Sequence, residues 1–292
     1  MAERLPVLKT WKLYIGGAFP RTESGRSLLV HDRSGNPSAH ICRASRKDLR
    51  NSVVAARKAA DAWSRRTAFN RGQILYRMAE MLEGKGEEAA SLLTATVPGG
   101  LRRARREVER SCDRLVAYAG WADKFSQVLG NSNPVAGPYY NFTTPESMGV
   151  VGVVAPNEEP LLGLISLVAP VLCSGNTVVA LGSEAHPLLT SFLGEVCATS
   201  DVPAGVLNLL TGIRSELLEV MAGYRDLDGI HAAGCGAEER TVLELGAAEN
   251  IKRVHVRLTS GAEWYDNRLC ESPYWIESFV EMKTVWHPSS AG

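Results

Sequence analysis

The second half of this chain keeps one hydrophobic rhythm. Val150-Val151-Gly152-Val153-Val154 is an unbroken apolar run, the pattern of a strand buried on both faces. An apolar helix is expected over 161–173, a strand over 176–180, a helix over 187–198 and a strand over 206–210 closed by Gly212. A helix over 214–222, a strand over 229–232, a Gly234-Cys235-Gly236 turn and a helix over 237–247 follow. Lys252 to Leu258 reads as one more buried strand. Five strands, with a helix after each of the first four, predict an α/β fold with a doubly wound parallel sheet.

The first half has a different texture. Residues 12–45 form a β-rich start in short pieces punctuated by Gly16-Gly17, Gly25, Gly35 and Pro37. Three helices follow. The first is capped near Ser45 and runs from Asp48 to Trp63, with Leu49, Val53, Ala56, Ala60 and Trp63 on one stripe. The second starts near Asn70 and aligns Ile74, Leu75, Met78 and Leu82. The third begins after Pro98-Gly99-Gly100, aligns Leu101, Ala104, Val108, Leu115, Ala119 and Ala122, and ends near Lys124. A Gly-, Asn- and Pro-rich loop spans 130–138, and Tyr139 to Thr144 is an extended aromatic segment.

After Leu258 only 34 residues remain. They have room for one short segment ending in Phe279 to Trp286, not for a second, substrate-binding domain. A part of an enzyme, rather than a complete one, is therefore expected.

Composition narrows the partners. Lys plus Arg and Asp plus Glu balance at 32 each, so the net field gives no reason to expect nucleic acid or an anionic membrane. The basic run Arg102-Arg103-Ala104-Arg105-Arg106 is interleaved with Glu107 and Glu109 and reads as a solvated helix face. No apolar run is long enough to span a bilayer, and the start lacks the apolar core of a secretory signal. The six cysteines show no metal-ligand spacing, so neither a metal site nor a disulfide framework is expected, and reduced thiols in a cytoplasmic protein are the default.

Several segments taken together resemble the aldehyde dehydrogenase superfamily. They are Tyr14-Ile15-Gly16-Gly17, Tyr118-Ala119-Gly120-Trp121-Ala122, Met148 to Pro156, Gly175-Asn176-Thr177-Val178-Val179, Pro203 to Asn208 and Asn250 to Val254. Their order and spacing match over residues 12–258, which is far more specific than a single glycine motif. The resemblance implies a Rossmann-like cofactor domain, with its N-terminal part over 1–130 and its sheet over 148–260. It also implies an oligomerisation arm built from 131–147 and from the last strand, Glu277 to Pro288, which follows a linker within 261–292. The catalytic domain between sheet and arm is expected to be absent, as in the degenerate second units of class-16 aldehyde dehydrogenases.

Carried over position by position, the family chemistry is eroded. The oxyanion-hole Asn falls on Glu158, a register held by Pro156 and Pro160. Losing one such donor costs about two to three powers of ten in rate. A carboxylate there adds repulsion of roughly 4 kcal/mol at about 4 Å and an effective dielectric near 20. The general-base Glu falls on Arg257, whose guanidinium stays protonated and accepts no proton; a structural or interface cation is expected there. Cys270 is the sole cysteine beyond the last sheet strand. It lacks the glycines that surround the family nucleophile and reads as a linker residue.

Cofactor positions are mixed. The ribose-binding Lys falls on Leu181 and the Pro after it on Gly182, while the ribose Glu survives as Glu184. Gly234 is kept where pyrophosphate would approach a helix N-terminus, with Cys235 in place of Ser; a small residue kept for packing explains Gly234 equally well. NAD(P) binding is therefore expected to be weakened, by about 1.5–3 kcal/mol for a lost charged hydrogen bond.

Tyr139, Tyr140 and Trp286 lie on arm segments. They either fold back on their own core or make subunit contacts, and the second is expected because aromatic residues are enriched at interfaces. Three functions follow. The first is a non-catalytic subunit that assembles with a full-length aldehyde dehydrogenase, or with itself, and stabilises or regulates it. The second is a residual NAD(P)-dependent aldehyde oxidoreductase, and the third a nucleotide-sensing module.

Overall fold

A computed structural model describes residues 7–289. In chain order the N-terminal elements are β1 (Thr10–Trp11), β2 (Ser27–His31), β3 (Pro37–Cys42), α1 (Arg46–Ser64), α2 (Ala68–Gly84), α3 (Gly86–Thr96), α4 (Gly100–Trp121) and α5 (Phe125–Leu129). Next come β4 (Asn131–Ser132), β5 (Tyr139–Ser147), β6 (Val150–Val154), α6 (Pro160–Cys173), β7 (Thr177–Leu181), α7 (Leu188–Ala198) and β8 (Leu207–Leu210). The series closes with α8 (Arg214–Gly223), β9 (Gly229–Ala233), α9 (Ala237–Ala248), β10 (Arg253–Arg257), α10 (Asn267–Cys270), α11 (Tyr274–Glu277) and β11 (Val280–Pro288). A 3-10 turn at Gly261–Tyr265 precedes α10.

The central sheet has five parallel strands in the order β10-β9-β6-β7-β8. Strand order reverses between β6 and β9, so the crevice beyond their carboxyl ends is the topological switch point, where ligands of open α/β sheets bind. Strands β6, β7, β8 and β9 are buried along their whole length. Strand β10 is only half buried throughout. The expected interior strand is thus an edge strand: it has a neighbour on one side only, and its alternation of Arg253, His255 and Arg257 with valines fits that place.

Helix α1 begins as its sequence predicts. The Ser45 hydroxyl accepts the Asp48 N–H at 3.2 Å, and the Asp48 carboxylate accepts the Ser45 N–H at 2.8 Å, a reciprocal cap. Helix α3 was not expected. It buries only Ala89, Ala90 and Leu93, a stripe of small residues too narrow to stand out from a polar segment. The segment expected to be a linker after β10 is also structured. Its Trp264, Cys270, Trp275, Ile276 and Phe279 are buried. Backbone carbonyls of this segment receive donors from α4: Arg114 bonds Trp264 O at 3.0 Å, Tyr118 Oη bonds Cys270 O at 2.9 Å and Trp121 Nε1 bonds Glu271 O at 2.8 Å.

The arm is a separate antiparallel sheet in the order β11-β5-β4. Strand β11 pairs with β5 along its full length, from Val280 opposite Ser147 to Pro288 opposite Tyr139. Asn176, fully buried, fixes the root of this arm to the central sheet. Its Oδ1 accepts the Gly149 N–H at 2.8 Å, and its Nδ2 donates to Ser174 Oγ and to Phe279 O, both at 2.7 Å. The Asn176→Ala change should therefore lower unfolding stability by about 3 kcal/mol, roughly 1 kcal/mol for each lost bond, measured as a reduced urea midpoint at unchanged slope.

Candidate functional site

The candidate site is the carboxyl edge of the central sheet, where α6, α8 and α9 begin. Each of these helix N-termini exposes N–H groups that need acceptors. Glu107 reaches across from α4, and its Oε1 accepts the Leu161 N–H at 2.9 Å and the Leu162 N–H at 3.3 Å at the start of α6. Glu184 Oε2 accepts the Arg214 N–H at 2.7 Å at the start of α8. Glu239 Oε2 accepts the Gly236 N–H at 3.0 Å and caps α9.

Arg214 fills the switch-point crevice itself. It is 5% exposed, and its guanidinium donates to Ala155 O after β6 and, at 3.0 Å, to Gly234 O after β9. Glu239 stands 3.4 Å from the same guanidinium. Asn157 closes the neighbouring gap between β6 and β7: its Oδ1 accepts from Ser183 Oγ at 3.0 Å and from the Ala185 N–H at 3.2 Å.

The residues singled out in the sequence are therefore engaged otherwise than a cofactor site requires. Glu184 is committed to the α8 backbone. Leu181 is buried at the end of β7, and a Cβ at Gly182 would collide with Thr190 on α7. Gly234 has φ +62°, and a Cβ there would meet Pro156 Cα at 3.0 Å, so packing alone demands glycine. The Cys235 thiol is half-buried and pushed up to about 11 by burial. These groups do not fit a dinucleotide. Sequence reasoning missed Arg214, Glu239 and Glu107.

Glu158 and Arg257 sit apart, with different partners. Exposed Glu158 accepts the Gly261 N–H at 2.9 Å and anchors the 3-10 turn. Arg257 Nε donates at 2.9 Å to Nε2 of buried His231, whose Nδ1 donates to Leu167 O at 2.9 Å. Burial and the Arg257 charge hold His231 neutral, well below the usual imidazole range. Arg257 also donates to Ser278 Oγ at 3.0 Å and lies over the Trp275 ring at 4.5 Å. It is a structural cation joining β9, β10 and the capping segment, residues 261–279. Cys270 is buried in that segment, with its thiol 3.4 Å from Glu263 O, and burial raises its pKa. This is the opposite of what a nucleophilic thiol needs.

Part of the basic run also turns inward. Glu159 adopts the left-handed region at φ 44°. Its carboxylate accepts from Arg103 at 2.7 Å and from Tyr265 Oη at 2.6 Å, contacts that hold the strained residue in place. Arg106 stacks over Tyr265 at 4.5 Å, while Arg105 pairs with Glu87 at the surface. Tyr139, Tyr140 and Trp286 stay exposed at the arm tip instead of folding onto the core, with Tyr139 and Trp286 edge to face at 5.8 Å. Among the described residues no group of three or more His, Cys, Asp or Glu is placed to hold a metal ion, and no helix is long and apolar enough to cross a membrane.

The chain matches the Aldehyde dehydrogenase family over residues 21–264. It is 32% identical over 262 residues to aldehyde dehydrogenase family 2 member B4, mitochondrial, of Arabidopsis thaliana, covering 85% of this chain and 46% of that protein. It is 32% identical over 259 residues to retinal dehydrogenase 2 of Mus musculus, covering 86% and 49%. A putative aldehyde dehydrogenase from Burkholderia cenocepacia superposes with a TM-score of 0.81 at 30% identity, covering 86% of this chain and 51% of that one. An aldehyde dehydrogenase from Bacillus cereus solved as an NAD+ complex superposes with a TM-score of 0.80 at 25% identity, covering 85% and 50%. The chain thus spans about half the length of the relatives it matches.

Two outcomes are expected at the site. Five of the six cysteines are buried and Cys235 is half-buried, so native protein should expose at most one thiol to a disulfide reagent at pH 7, and all six after denaturation. Burial first, and then the charge of Glu159, push Glu107 up to about 8 from an ordinary 4.5. Between those values the folded state binds the extra proton, so this group's contribution to stability declines as pH rises through that window. Glu107→Gln keeps an acceptor for α6 without that loss. Its stability relative to the parent should grow from pH 5 to pH 9 by on the order of 2 kcal/mol, read from urea unfolding at each pH.

Proposed function

This chain belongs to the aldehyde dehydrogenase family, and from that premise we propose that it is a non-catalytic member, a subunit that docks on a full-length aldehyde dehydrogenase and stabilises or regulates it. The observation that carries this reading is the arm. Among the described residues β11 pairs with β5 alone, so the nine-residue strand presents its other edge unpaired. Tyr139 and Trp286 pack together on one face of the arm and Tyr140 lies on the other beside Phe142, the three being 45%, 57% and 56% exposed. A long open edge beside exposed aromatics is what strand addition to another subunit uses, and is otherwise an aggregation hazard. A second apolar patch supports the same reading: Val242 and Leu245 on α9 and Ile251 just beyond it are all exposed.

The chemistry at the family positions agrees with a non-catalytic role. Arg257 accepts no proton where the family carries its base, Glu158 is a carboxylate where an oxyanion needs a donor, and the Cys270 thiol is buried.

Co-expression with a full-length aldehyde dehydrogenase from the same cells should give a hetero-oligomer in native mass spectrometry. Replacing Tyr140 and Trp286 together by Asp should weaken it at least about 30-fold, the equivalent of one interface hot spot of about 2 kcal/mol. A stable lone monomer at micromolar concentration beside the full-length enzyme, or aldehyde-dependent NADH formation by the isolated chain, would sink the proposal.

A further inference from the structure

The carboxyl edge of the central sheet has the layout of a dinucleotide crevice, yet its switch point and the N-termini of α6, α8 and α9 are already met from within the chain. The switch point lies between the ends of β6 and β9, and one guanidinium, that of Arg214, bonds the first carbonyl beyond each, Ala155 O and Gly234 O. The N-termini of α6, α8 and α9, where a pyrophosphate would find free N–H groups and the positive ends of helix dipoles, carry the carboxylates of Glu107, Glu184 and Glu239. The gap between β6 and β7 holds the Asn157 side chain. A single one of these contacts is ordinary capping. Two carboxylates, those of Glu184 and Glu239, the buried carboxyl of Glu107 and one cation, brought from the loop after β7, α9, α4 and α8 to the same edge, make an internal polar set in the place of a bound one.

We propose that this cofactor crevice is self-liganded: Arg214, backed by Glu239 and Glu184, occupies the position of the dinucleotide, so the chain holds its cofactor-domain conformation constitutively and takes no NAD or NADP. The physical reason is competition. A dinucleotide entering here has to displace the guanidinium from two carbonyls, one of them on buried Ala155, and set its phosphates beside the carboxylates that hold the helix ends. One group tempers this. Arg214 Nε is buried without a hydrogen-bond partner among the described residues, and a small anion seated on it is an outcome that the experiment has to detect. The inference concerns the crevice alone and does not draw on the docking reading; a chain that docks but binds NAD would overturn only this proposal.

The test is ligand titration of the intact chain with NAD+, NADP+, ADP and inorganic phosphate, by calorimetry and by thermal unfolding. The parent chain should show no saturable heat and no change in Tm at 1 mM of any of the four. The Arg214→Gly variant, and the Arg214→Ala variant that keeps the first turn of α8 in a helix-forming residue, should gain a response to NAD+. A Kd near 0.1 mM corresponds to a rise in Tm of about 3 °C at about 1 mM ligand. Saturable binding of NAD+, NADP+, ADP or phosphate to the parent overturns the proposal, and so does a folded Arg214→Gly or Arg214→Ala variant with no gain. Should neither variant fold, amide hydrogen exchange of the parent decides: slow exchange at the Arg214 and Gly236 amides, unchanged by 5 mM NAD+, supports the self-liganded state. Fast exchange there, or protection that appears only with NAD+, overturns it.

Discussion

A parallel sheet ends in open carbonyls, and the helices that follow begin with open N–H groups; both have to find partners. That requirement shapes the molecule. Arg214 meets it between β6 and β9, Asn157 between β6 and β7, and three glutamates meet it at the helix ends. Charge balance follows from the same arrangement. The carboxylates of Glu184 and Glu239 at the starts of α8 and α9 are favourable because of the local dipole, and the guanidinium lies close to Glu239. The edge that would present donors to an anion is neutralised without one.

The same requirement acts on the face of the sheet beside β10. Helix α4 offers the donors of Arg114, Tyr118 and Trp121, and residues 264–271 answer with backbone carbonyls. Arg114 is fully buried and also bonds Ser166 Oγ at 2.6 Å, so α4, α6 and the capping segment share one cation. Arg257 does the equivalent on the other side, between His231 and Ser278. Two arginines thus hold a short segment of buried tryptophans against the family fold. Arg257 is in this way a structural tie between β10, His231 and the segment after it.

Much of this fold is legible in the sequence because its strands are short, apolar and separated by glycine turns; the order of β6 to β10 and the cap of α1 at Ser45 follow from pattern alone. Helix α3 is not legible, since alanines at its contact face carry little periodic contrast. Nor is the structure of 261–279, because its buried residues are spread over a 3-10 turn and two single-turn helices with no shared period. The edge position of β10 is hidden for another reason. A half-buried strand with two valines inside it looks apolar until its missing neighbour is known. At the candidate site, residue-by-residue resemblance picks out positions, but not what their side chains touch. That Glu184 serves a helix start, and that Arg103 turns inward to Glu159, are facts of tertiary geometry.

The junction between β10 and β11 has a topological meaning. Arg253 on β10 bonds Val280 O at 2.5 Å and pairs with Glu281 at 2.8 Å, and His255 packs edge to face on Phe279 at 5.5 Å. The chain therefore leaves the central sheet and returns beside the point of departure. An excursion of any length that starts and finishes side by side costs the remainder little, since closing a longer loop adds only a logarithmic entropy. Whole modules can be spliced in or out at such a doorway while the rest keeps its shape.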